Sequence, residues 1–170
     1  MKIKQDLLEQ FDFAGGDYVD KVARRYEARI GRFLMRFSEL EHNLDIAIVE
    51  GVLDRAHSLG YLVIEGHTLN TKIELFRKLY QAYTKAVVPS RMKKLRGLVK
   101  RLHEARVFRN YVAHANWRTL ERSGYVRTRV GEKEGDVVFK KVRITPSSLE
   151  AWHRRIVRLD ELLDEFIDGQ

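Results

Sequence analysis

Apolar residues recur at alternating intervals of three and four over four long stretches of this chain, the spacing that puts side chains on one face of an α-helix. From about Tyr18 to Asp54 the row is Tyr26, Ile30, Phe33, Phe37, Leu40, Leu44 and Ile48. From about Thr68 to Val87 it is Leu69, Ile73, Phe76, Tyr80 and Tyr83, and Pro89 breaks it. A third helix, from about Ser90 to Ala115, opens with Met92, Leu95, Leu98 and Leu102. A fourth follows Thr145-Pro146, proline being suited to a first helical position, and carries Leu149, Trp152, Ile156, Leu159, Leu163 and Phe166. Between the last two the period changes to two. Tyr125–Val130 and Val138–Ile144, with Gly131 and Gly135 flanking a charged turn, predict a β-hairpin over 125–144.

Helices with one apolar face each must bury those faces against one another. The pattern therefore predicts a mainly α fold: a four-helix bundle, five helices at most, with a β-hairpin inserted before the last helix, in a single domain over 1–170. Residues 1–16, ending in Gly15-Gly16, are expected to be a loosely attached N-terminal arm. No run approaches the ~18 consecutive apolar residues of a membrane span, and Met1–Asp6 lacks the apolar core of a signal peptide. With no cysteine in the chain, the expectation is a cytoplasmic protein that does not engage a membrane.

Charge sharpens this picture. The chain carries +8 overall, yet between Pro89 and Arg129 twelve cations face only Glu104 and Glu121, a local excess of +10. Such a concentration favours a polyanionic partner, because binding phosphates releases counterions. The third helix lies at the centre of this window. Near its end stands Arg109-Asn110-Tyr111-Val112-Ala113-His114. A guanidinium can fork onto phosphate oxygens and an imidazole can move a proton near neutral pH.

Continuing the leucine row of this helix at about 100° per residue leads to Arg106 and Arg109, so the inward face is expected to turn from leucine to arginine. A buried arginine needs a partner. Glu41 falls in the apolar sector of the first helix, between Leu34 and Leu44, and is expected to pair with Arg109 or Arg106. Asn110 and His114, four apart, share a face. Arg109 and His114, five apart, diverge by about 140° unless the helix ends near His114 or a second subunit completes the site.

Arg109-Asn110 followed by His114, late in a helix of a basic four-helix bundle, resembles the signature of HEPN domains. In that family an arginine, usually followed by a polar residue, is separated from a histidine by four to six intervening positions. Phe37-x-x-x-Glu41-x-x-Leu44 on the first helix is similar to what precedes the motif in several HEPN groups. The resemblance spans roughly 18–168 in architecture and six residues in motif. It implies a metal-independent endoribonuclease without cofactor, working as a homodimer with a composite site. Arg109 would hold the scissile phosphate, His114 would move protons at the 2′-hydroxyl or the leaving 5′-oxygen, and Asn110 would orient the histidine or a phosphate oxygen. Glu41 would support Arg109, and Arg106 and Arg118 would bind RNA. The resemblance further implies a toxin or phage-defence effector, sometimes paired with an antitoxin protein. Some members carry a modifiable tyrosine two residues after the histidine; here that residue is Asn116, so this regulation is not implied.

Two other readings compete. Glu39-x-x-His42 and Glu150-x-x-His153, with Glu74 and Glu104, have the composition of a di-metal bundle site. However, Glu39 and His42 lie opposite the apolar stripe of their helix and should face solvent. Trp117, Tyr125 and Phe139 could stack on bases beside Arg118 or Arg127, or pack on a helix. The alternative to an enzyme is a non-catalytic HEPN-like module that binds nucleic acid or a protein.

Overall fold

A computed structural model describes residues 5–7, 17–52, 57–85, 89–114, 116–120, 124–133 and 136–169. The described chain is mostly helical: α1 (Asp17–Val52), α2 (His57–Ile64), α3 (Leu69–Lys85), α4 (Pro89–Ala113) and α5 (Pro146–Asp168). The four helices expected from periodicity are present, with ends displaced by two residues or fewer. The periodicity does not predict α2. Its apolar residues Tyr61, Leu62 and Val63 are consecutive and exposed, while Gly60 and Ile64 are buried, so there is no row of threes and fours to read.

Local hydrogen bonds fix the helix ends. Gly66, at φ 76°, takes the left-handed conformation that glycine accepts freely and stops the chain after α2. Thr68 Oγ1 accepts the Thr71 N–H at 3.3 Å to start α3. At α5, Thr145 and Ser148 cap each other: the Ser148 N–H donates to Thr145 Oγ1 at 3.1 Å and the Thr145 N–H to Ser148 Oγ at 2.9 Å. Pro146 then occupies the first helical position, as expected.

The segments expected to form a two-stranded hairpin over 125–144 pair antiparallel, but within a larger sheet and not as an isolated insertion. Strands β1 (Gln5–Leu7), β2 (Asn116–Leu120), β3 (Gly124–Lys133) and β4 (Asp136–Arg143) form one antiparallel sheet in the order β1-β4-β3-β2. Trp117 stands opposite Arg127 in register, and Val130 opposite Phe139. The expected loose arm is likewise corrected at 5–7, which pair with 140–142. A three-residue strand has no period of its own, and the open edge of β4 supplies what its sequence does not. The rest of 1–16 lies outside the described residues.

The chain forms two compact units, one of 1–34 with 109–153 and one of 35–108 with 154–170. In the first, Val22, Tyr26 and Phe33 of α1 are buried, as are Val112, Ile144, Leu149 and Trp152. Arg32 of α1 lies 3.6 Å from Glu150 of α5.

The second unit holds a helical bundle. Phe37, Leu40, Leu44 and Ile48 of α1 and Ile73, Phe76 and Tyr80 of α3 are buried. So are Leu95, Leu98 and Leu102 of α4 and Ile156, Leu159, Leu163 and Phe166 of α5. The Tyr80 hydroxyl donates to the Ala47 carbonyl at 3.2 Å, tying α3 to α1. Phe166 meets Tyr80 and Phe76 at ring separations of 5.4 and 6.1 Å, joining α5 to α3.

Polar contacts set the register of these helices. Asp160 is the one buried charged residue among the described residues. Its Oδ1 accepts from Asn43 Nδ2 at 2.9 Å, and Arg36 Nη2 lies 3.7 Å from Oδ2. Arg36 is also bonded to Glu39. Between α3 and α4, Glu74 accepts from Arg77 Nε at 2.9 Å and is bonded to His103 Nε2 at 3.2 Å. The Arg77 hydrogen bond, with a smaller contribution from His103, holds the Glu74 carboxyl below the usual glutamate range despite partial desolvation.

Asn43→Ala removes a hydrogen bond to a buried carboxylate, and unfolding in urea is expected to show a loss of about 1.5–3 kcal/mol with an unchanged denaturant slope. For Glu74, a depressed folded-state value means the carboxylate stabilises the fold above the ordinary glutamate range and ceases to do so as pH falls through the depressed value. Glu74→Gln is therefore expected to be less stable than wild type at pH 7 by up to about 1 kcal/mol, a small value because the pair is partly exposed. That gap should narrow in parallel denaturation curves as the pH is lowered below the usual glutamate range.

Candidate functional site

The buried row of α4 does not turn from leucine to arginine. After Leu95, Leu98 and Leu102 it continues through Ala105, Phe108 and Val112. These steps average slightly less than 3.6 residues, so the buried face creeps around the helix axis. Arg106 and Arg109 consequently lie at its margin, half-buried, and not at its centre. This corrects the expected inward arginines. Stepping by four from Leu102 reaches Arg106 and stepping by three reaches Ala105; the smaller, apolar residue takes the interior.

The expected pairing of Glu41 is also corrected. Its carboxylate lies 3.5 Å from Lys72 Nζ, and Lys72 donates at 2.7 Å to Asp45 Oδ2. Glu41 and Asp45 are four apart on α1 and share the ammonium, which is 12% exposed. Arg106, in the same unit, is not its partner. Lys72 went unnoticed in the sequence because an α3 lysine beside an apolar stripe reads as a solvated flank. The Arg106 Nε is shielded from solvent with no hydrogen-bond partner, a costly arrangement for a cationic donor.

Arg109, Asn110 and His114 all belong to the first unit. Arg109 and Asn110 are half-buried on the last turns of α4, and Arg109 Nη1 donates to Asn110 Oδ1 at 3.2 Å. The helix ends at Ala113 and His114 occupies the turn after it, exposed. Its backbone N–H donates to the Asn110 carbonyl at 3.3 Å. Asn110 thus touches both neighbours, accepting from the arginine through its side chain and from the histidine through its backbone. Its amide oxygen serves Arg109. Because the helix stops there, His114 is released from the angular divergence that an unbroken helix would impose.

The same helix bears Lys93, Lys94, Arg96, Lys100 and Arg101, all exposed and none ion-paired among the described residues. Arg118 lies in β2, and its side chain is outside the described ones, as are those of Trp117, Tyr125, Arg127 and Phe139.

The residues of the di-metal reading have other engagements. Glu39 is bonded to Arg36, Glu150 faces Arg32, and Glu74 is taken by Arg77 and His103. Among the described residues no group of three histidine or carboxylate side chains could hold a metal ion. Nor is any described helix long and apolar enough to cross a membrane. Set against protein-family models, curated proteins and solved structures, the chain matches none of them.

Proposed function

We propose that this protein is a metal-independent endoribonuclease of the HEPN kind, with Arg109 and His114 at the centre of its site. The single observation that carries this reading is the Asn110 junction, where a half-buried arginine and an exposed, helix-terminal histidine are tied to one residue. Arg109 holds the phosphate and offsets the negative charge that develops on it. His114, open to solvent, transfers protons as the 2′-hydroxyl attacks, leaving a 2′,3′-cyclic phosphate and a 5′-hydroxyl. The unpaired cations along α4 lend the strand a charged approach, with Arg106 and Arg118 as further RNA contacts. Glu41, committed to Lys72, has no place in this chemistry.

A homodimer completes the proposal, a second copy bringing its own arginine and histidine to the first. Such an enzyme suits a toxin or phage-defence effector restrained by an antitoxin protein. One observation favours the second reading, a non-catalytic module that binds nucleic acid or a protein. No side chain among the described residues bonds the His114 imidazole, so none of them aligns it.

Purified protein incubated with RNA in excess EDTA is expected to cleave it, with cyclic phosphate ends. Arg109→Ala and His114→Ala should each lower the rate by on the order of a hundredfold or more. Equal cleavage by all three proteins would sink the enzyme and leave the binding module.

A further inference from the structure

A cleft of about 510 Å³ runs between the start of α4 and the end of α5. Its floor is apolar, made by the buried Leu98 and Phe166 with half-buried Leu162. The α4 lip carries Lys93, Lys94 and Arg101, all exposed and without an ion-pair partner among the described residues. The α5 lip carries Glu165, which Arg158 Nη1 meets at 3.0 Å. Gly97 lines the α4 wall, and a Cβ added there would meet nothing within 4 Å. In mid-helix a glycine is less stable than alanine by roughly 0.5–1 kcal/mol, and here the missing side chain widens the cleft.

The floor is also held still. Arg91 Nη2 donates to the Phe166 carbonyl at 3.3 Å, and its guanidinium lies 5.7 Å from the Phe166 ring centre. Phe166 is further wedged against Tyr80 and Phe76. A rigid apolar trough costs little ordering when something fills it.

From these features we infer that the α4–α5 cleft is a docking groove for an amphipathic helix of a partner protein, acidic along the edge that meets α4. The occupant follows from the charges. Three uncompensated cations on the α4 lip call for carboxylates, whereas Glu165 on the opposite lip already holds Arg158. Apolar side chains at i, i+4 and i+7 of the incoming helix would sit on Leu98, Leu162 and the edge of Phe166. From Ser90 to Arg101 the α4 wall runs about 16 Å, long enough to seat the roughly 10.5 Å from i to i+7 of such a helix. An RNA strand fits less well: Glu165 opposes phosphate on one side, and the largely aliphatic floor offers no exposed aromatic face for a base. The inference uses none of Arg109, Asn110 or His114, and shares with the ribonuclease reading only the cations Lys93, Lys94 and Arg101 of the charged approach.

The probe is a fluorescein-labelled designed peptide with leucines at i, i+4 and i+7 and glutamates along one edge, titrated into the full-length protein and followed by anisotropy. Saturable binding, weakened on the order of tenfold by Gly97→Leu and by Lys93→Glu with Arg101→Glu, is expected. A peptide with lysines in place of those glutamates should bind the charge-reversed variant better than the original does. Circular dichroism would check that the variants remain helical; leucine for an unobstructed helical glycine favours folding. Binding no tighter than that of a scrambled peptide, or insensitive to Gly97→Leu, would overturn the inference. So would a labelled oligouridine whose binding Gly97→Leu abolishes while the peptide is unaffected, which would make the cleft an RNA site. Cleavage of RNA is not measured in any of these arms, so their failure says nothing of the enzyme.

Discussion

One rod of twenty-five residues, α4, must both contribute to the core and carry much of the molecule's positive charge. These demands compete for the same surface. The competition is resolved by letting the buried face creep around the helix axis, through Leu95, Leu98, Leu102, Ala105, Phe108 and Val112. At the start of the rod the exposed side is a broad band of lysine and arginine. Towards its end the creep leaves Arg106 and Arg109 at the boundary between core and solvent, where a guanidinium keeps its charge and loses some of its freedom. Burial at the centre of the face would have required a compensating carboxylate, and Glu41 is already held by Lys72.

The end of the rod matters as much as its face. Stopping at Ala113 leaves the Asn110 carbonyl to accept the last helical hydrogen bond from His114 and turns the imidazole outward. The Asn110 side chain meanwhile restrains Arg109. A polar residue with both a backbone and a side-chain acceptor is thus what allows neighbouring turns to act together. Alanine at this position would keep the backbone bond and lose the restraint on the guanidinium.

The long helices were legible because their apolar rows are strictly periodic, and α5 even announces its start through Thr145, Pro146 and Ser148. Arg109, Asn110 and His114 were legible as a group because they are near neighbours in sequence. What escaped notice depends on pairing at a distance. Lys72 acquires its role only when α3 brings it beside Glu41 and Asp45. His103 belongs to no motif in the sequence, yet Glu74, on another helix, is bonded to it. The three-residue β1 exists by virtue of the β4 edge. The row on α4 was misjudged because a fixed angle per residue accumulates error over several turns, and a choice between steps of three and four then decides which residue is inside.

The proposed function places a phosphodiester between Arg109 and His114, each bonded to Asn110. The most direct measurement is nuclear magnetic resonance of the six histidine rings during titration with a 2′-deoxy oligonucleotide, which lacks the attacking hydroxyl and cannot be cut by that route. The account predicts that the His114 ring signals move in a saturable way, more than those of the other histidines, and that Arg109→Ala removes the response. A His114 signal that stays still while the oligonucleotide binds, or that moves equally in Arg109→Ala, would contradict it.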